Sequence, residues 1–223
     1  MRQIPLSIGI DAPRTFDNFV RGANASAFEH LLGPEAPATP VYLWGASGSG
    51  KTHLLEARVH WHVVRGQRAG WFGASQPAPW LFDESWALIV IDDCDRLDAA
   101  QQHAAFALFV EAATRGTSIV AAGRVPPIDL PLREDLRTRL GWGHVFALQL
   151  LGEAEARAVL RRAADQRGVF LSDDVMGFLL TRFTRDLKHL MALLDRLDEF
   201  SMSTKRPMTV PLLKQMLAEE GAT

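Results

Sequence analysis

A single cysteine, Cys94, stands in 223 residues, so no disulfide can close within the chain and no cysteine cluster can hold a metal. That scarcity agrees with a reducing compartment. No apolar run reaches the roughly 18 residues that span a bilayer, and the first residues lack a basic start followed by an apolar signal core. The chain is therefore expected in the cytoplasm, away from membranes. Positive charge is not in excess either: 24 Lys and Arg against 26 Asp and Glu leave a net charge of -2, which excludes a global field that would attract nucleic acid. Contact with DNA is then weak or indirect. Internal repeats and low-complexity tracts are missing, and His60 and His62, two apart on a helix, do not face one another as a metal pair would. The 12 Phe and 6 Trp are not interleaved with a basic run, so they read as packing residues. What remains is an ordinary globular composition, with length for one compact domain and a smaller one.

The first ten residues alternate: Ile4, Leu6, Ile8 and Ile10 are apolar, and Pro5 excludes helix. Such a segment suits an edge strand of the protein's own sheet or a peptide lying in another protein's groove. Residues 34–40 form a loop, after which VYLW (41–44) predicts a strand and 52–65 a helix closed by Gly66. Further strands are expected at 69–73, 88–91, 118–122 and 145–150, with helices over 98–115 and about 131–140. Strands alternating with helices indicate an α/β fold, a five-stranded parallel sheet with helices on both faces. Residues 151–223 read as helix throughout, with Ser172 as a cap, Gly168 as a stop and no basic stripe.

The sharpest motif is the loop Gly45, Ala46, Ser47, Gly48, Ser49, Gly50, Lys51, Thr52, which fits G-x-x-x-x-G-K-[ST] between a predicted strand and a predicted helix. Its glycines let backbone N–H groups turn inward around phosphates, Lys51 reaches the β and γ phosphates, and the Thr52 hydroxyl ligates Mg²⁺. ADP or ATP with Mg²⁺ is the expected ligand. LIVIDD places Asp92 and Asp93 at the carboxyl end of a buried strand, where Asp92 would hold the metal and Asp93 orient the attacking water. Positive charge on the leaving phosphate is also needed. The stretch LREDLRTRLGWG offers Arg133, Arg137 and Arg139, among which spacing does not choose.

TFDNFVRGANASAF (15–28), the phosphate loop, LIVIDD and RTRLGWG (137–143) together resemble the ATPase domain of the bacterial replication initiator DnaA, an AAA+ family, over about residues 13–215. The resemblance implies an AAA+ nucleotide-binding domain over 13–150 and an α-helical lid over 151–223. It also implies that Phe19 and Val20 border the adenine, that His53 joins the loop in contacting nucleotide, and that Arg139 is an arginine finger acting on a neighbouring molecule. Two positions depart from the family: Gly123 stands where a polar sensor follows the fourth strand, with Arg124 after it, and Lys188 stands where the lid carries a sensing arginine. Lysine keeps the charge but loses the planar fork. Tight binding with poor hydrolysis is expected. A DnaA-type helical insertion between the second and third strands is missing, and so is a basic helix-turn-helix after the lid. These departures resemble the short DnaA homologues that are tethered to the DNA-bound sliding clamp and stimulate ATP hydrolysis on DnaA, preventing re-initiation. In that light Gln3, Leu6 and Ile8, over residues 1–12, resemble a Q-x-x-L-x-[LF] clamp-binding peptide. The implied partners are the β clamp of DNA polymerase III, DnaA and a second copy of the chain. The competing reading is a DnaC-like AAA+ helicase loader or DNA-remodelling ATPase.

Overall fold

The computed structural model describes residues 13–34, 39–183 and 187–220. Strands β1 (Val41–Trp44), β2 (Arg68–Gly73), β3 (Trp86–Asp92), β4 (Ser118–Gly123) and β5 (His144–Ala147) lie in the order β2-β3-β4-β1-β5. Every pairing is parallel. Helices α1 (Ala25–Leu32) and α2 (Lys51–Val63) cover one face, and α3 (Ala99–Arg115) and α4 (Glu134–Gly141) the other. The chain passes from β2 to β3 through residues 74–85 without a helix, so the expected lack of an insertion holds there.

Coverage of both faces explains why the central strands are apolar at consecutive positions. Tyr42, Ile89, Ile91 and Ala121 pack toward α3 and α4, while Leu43, Leu88, Val90 and Ala122 pack toward α1 and α2. The four residues Leu88–Ile91 are at most 1% exposed, each contributing about 1.5–3 kcal/mol by leaving water. The same alternation sends Asp92 to the α2 face, one step beyond Val90.

The fifth strand is shorter than the expected 145–150. Leu148 N–H still reaches back to Trp44 O at 2.6 Å, but Asn24 then captures the next residue from both sides. Its Nδ2 donates to Gln149 O at 2.9 Å and its Oδ1 accepts from Gln149 N–H at 2.8 Å. Pairing stops because those groups are taken. Beyond it, α5 (Glu153–Gln166), α6 (Asp173–Arg182), α7 (Leu187–Thr204) and α8 (Val210–Glu220) enclose a core of their own around Leu160, Met176, Leu179, Leu194 and Leu213. The Ser172 hydroxyl caps α6, and Gly168 at φ +67° follows the end of α5, both as expected. Among the described residues no helix is long and apolar enough to cross a membrane, and no group of three His, Cys, Asp or Glu could hold a metal ion.

Candidate functional site

The connections from β1 and β4, neighbours in the sheet, run in opposite directions, so a crevice opens at their carboxyl ends. The loop 45–50 fills it and leads into α2. Gly50 sits at φ +96°, and a Cβ there would meet the Phe19 ring at 2.8 Å, so only glycine fits both the turn and the close approach. The first helical hydrogen bond of α2 is Leu54 N–H to Gly50 O, leaving the N–H groups of Lys51, Thr52 and His53 with no partner inside the helix. Lys51 is buried and folded onto the loop, its Nζ donating to Gly45 O and Ala46 O, each at 2.8 Å. Burial pulls its pKa below the ordinary lysine value, against the pull of Asp92, Asp93 and Asp95. The Ser49 hydroxyl is buried with no hydrogen-bond partner among the described residues. Free N–H groups at a helix start, an ammonium and an orphaned hydroxyl form a donor set that fits a polyphosphate.

Thr52 Oγ1 donates to Asp92 Oδ2 at 2.8 Å, bringing the two expected metal-holding residues together. Burial raises the Asp92 carboxyl above the usual carboxylate range, opposed by the bonds from Thr52 and from Asp93 N–H, the latter at 2.9 Å. Asp93 itself is among the charges that Lys51 feels. Its backbone takes the left-handed conformation at φ 52°, and its half-exposed carboxylate faces Arg96 at 3.9 Å. At the end of β4 a Cβ on Gly123 would collide with the Tyr42 hydroxyl, which is fully buried and donates to Val125 O at 2.9 Å. A polar side chain at position 123 is excluded by that hydroxyl. Sequence reasoning missed Tyr42 because a tyrosine in a core strand carries no motif.

The segment before α1 is pinned to the loop through His53. Its Nε2 lies 3.0 Å from both Thr15 O and Asn18 Oδ1, and its ring meets the edge of Phe19 at 5.2 Å between centroids. Phe19 in turn stacks on Phe28. Phe19 and Val20 are half-buried, and Phe19 lies against Gly50 of the loop. Asn18, which the sequence reading did not single out, is the anchor between the two segments.

Arg139 lies elsewhere. Near the end of α4 it lines a narrow hollow with Pro40, Thr117 and Trp142, the first two preceding β1 and β4 at their amino ends. From Pro40 to Gly45 is five residues of extended chain, about 16 Å at roughly 3.3 Å each. That is beyond the reach of an arginine side chain, so Arg139 cannot serve the chain's own loop. Its guanidinium lies 5.9 Å from the Phe106 ring and forms no ion pair among the described residues, whereas Arg133 is paired with Asp135 at 2.6 Å.

Two sequence profiles match separate stretches: the bacterial DnaA ATPase domain over residues 10–70 and the Hda lid domain over residues 153–217. The fold is similar to domain III of the Thermotoga maritima replication initiation protein DnaA, with a TM-score of 0.78 at 20% identity, covering 92% of this chain and 96% of that one. The chain is an Hda/DnaA-like AAA+ protein.

Other solved structures align with lower TM-scores. DnaA from Aquifex aeolicus bound to AMPPCP gives a TM-score of 0.69 at 20% identity, over 83% of this chain and 65% of that one, so this chain spans about two thirds of that DnaA's length. The Thermotoga maritima RuvB Holliday junction branch migration motor gives 0.66 at 16%, over 92% and 72%. A DnaA-type ATPase stretch followed by an Hda-type lid points to a role in regulating replication. In this Hda/DnaA-like protein Lys188 stands on α7, its side chain outside the described residues, as are Gln3, Leu6 and Ile8 entirely.

Proposed function

We propose that this protein is a negative regulator of chromosomal replication initiation, which binds the polymerase sliding clamp and stimulates hydrolysis of ATP on DnaA. The observation that carries the reading is the placement of Arg139: half-buried, without an ion pair among the described residues, and at the opposite end of the sheet from the chain's own phosphate loop. An arginine so placed suits delivery to a neighbour's nucleotide. Residues 13–150 serve as the nucleotide-binding unit, 151–223 as its lid, and 1–12 as the clamp peptide, with Gln3 supplying a directional amide and Leu6 and Ile8 apolar anchors. The protein then works in the cytoplasm and reaches the nucleoid through the clamp.

The chain's own site holds ADP or ATP through the loop 45–52, with Phe19, Val20 and His53 on the base side and Lys188 from the lid. Thr52 and Asp92 would hold Mg²⁺, which supplies charge neutralisation between phosphates. The lack of a polar group at Gly123 supports binding with little hydrolysis. Purified DnaA loaded with ATP, clamp on DNA, and this protein form the test. Arg139→Ala is expected to abolish stimulated hydrolysis, and full stimulation by that variant would refute the reading. Vigorous DNA-stimulated turnover by this protein alone, without clamp or DnaA, would instead favour a helicase loader.

A further inference from the structure

Residues 13–24 form a strap between the phosphate loop and the start of the helical unit, and its parts are held with very different firmness. At the far end Asn24 is 4% exposed and brackets Gln149, donating from Nδ2 to Gln149 O at 2.9 Å and accepting Gln149 N–H on Oδ1 at 2.8 Å. Close by, the Glu155 carboxylate, which accepts Gly152 N–H at 2.7 Å, lies 2.8 Å from where a Cβ on Gly22 would stand. This end is fixed. Nearer the front Phe16 is buried, its ring edge-on to Phe28 at 5.5 Å between centroids. The span 17–23 between these two anchors includes Phe19, whose ring rests against Gly50 of the loop.

Asn18 ties that span to α2. Its amide orientation follows from its partners: Nδ2 donates to Pro13 O at 3.0 Å, and Oδ1 accepts from Thr15 N–H at 2.9 Å. His53 Nε2 therefore faces two acceptors, Asn18 Oδ1 and Thr15 O, each at 3.0 Å, and must carry the ring hydrogen. The bond to Asn18 is exposed, and so is Asn18 itself. Water competes for such a bond, so it opens at lower cost than the buried bracket at Asn24. Phe19, the next residue, is half-buried and leans on the His53 ring edge at 5.2 Å. The strap is thus weakest where it meets the loop.

We propose that the Asn18–His53 bond is a latch that sets how fast a nucleotide enters and leaves this site: once it opens, residues 17–23 swing on Phe16 and Asn24 and withdraw Phe19 from the loop. The proposal rests on the nucleotide-site reading above. Stopped-flow fluorescence with ADP carrying an N-methylanthraniloyl group on its ribose, in Mg²⁺, measures association and release for the wild-type chain, Asn18→Ala and Asn18→Asp. A latch acts on the barrier in both directions, so Asn18→Ala should speed association and release alike, each about threefold or more, the scale of one exposed hydrogen bond. Affinity should then stay within about twofold. Asn18→Asp keeps the acceptor for His53 and should hold both rates within about twofold of wild type. Unchanged rates in Asn18→Ala overturn the proposal, as does faster release with unchanged association, which marks a lost contact to bound nucleotide. Acceleration by Asn18→Asp equal to that by Asn18→Ala overturns it too, because the bond to His53 would then not be what holds the strap. Failure of the wild-type chain to bind the probe or unlabelled ADP overturns the nucleotide-site reading itself, a separate result.

Discussion

Gly123 and Tyr42 offer a double-mutant cycle that tests why this site lacks a polar group at the end of β4. Tyr42→Phe removes a hydroxyl that donates to Val125 O at 2.9 Å in a fully buried setting. Losing that bond and leaving the carbonyl without it costs about 1–2 kcal/mol. Gly123→Ala adds a methyl group onto the hydroxyl position, and overpacking of this kind costs about 1–3 kcal/mol. With the hydroxyl removed, the nearest ring carbon is the Tyr42 Cζ position at 3.3 Å, and Asp95 Oδ1 is at 3.3 Å on the other side. Those contacts are tight but relax by a few tenths of an ångström. The alanine should therefore be much better tolerated in the Tyr42→Phe background, with a coupling of about 1 kcal/mol or more. Urea unfolding of the four proteins measures it. Additivity within about 0.5 kcal/mol would refute the claim that the tyrosine hydroxyl keeps position 123 a glycine.

Two other outcomes follow from the site and the leading peptide. Gln3→Ala combined with Leu6→Ala should abolish affinity for immobilised sliding clamp; retained affinity would return the segment to the protein's own sheet. Burial holds His30 and His53 below the ordinary histidine value of 6.5, so on acidification the unfolded chain takes up protons first. Their stabilising contribution is full above about pH 6.5 and declines as pH falls toward the depressed folded values. Melting temperature should thus rise as the pH is raised toward about 6.5 and level off above it, and His53→Gln should flatten that rise; an unchanged slope would remove His53 from this role.

Most of the fold was legible because its signals are local. The consecutive apolar runs at 88–91 and 118–122 mark strands covered on both faces, and the phosphate loop announces the strand before it and the helix after it. What the residues concealed depends on contacts distant in sequence. The end of β5 is decided by Asn24, 125 residues before Gln149, and nothing in VFALQL signals that capture. Asp92 and Asp93 are neighbours in sequence, yet Asp92 accepts from Thr52 while Asp93, left-handed at φ 52°, has its carboxylate 3.9 Å from Arg96. The choice among three arginines illustrates the same limit. Spacing left Arg133, Arg137 and Arg139 level, while the fold pairs Arg133 with Asp135 and sets Arg139 in the hollow beside Pro40 and Trp142.

Stimulated hydrolysis on DnaA is the decisive quantity. ATP preloaded on DnaA should be turned over in a single round when clamp-bound wild-type protein is added, and the rate should fall on the order of 10³-fold with Arg139→Ala, the scale of arginine fingers in GTPases. The variant's own ADP binding, at the other end of the sheet, should be unchanged. Equal single-turnover rates for wild type and Arg139→Ala would contradict the assignment of this arginine to a partner's nucleotide.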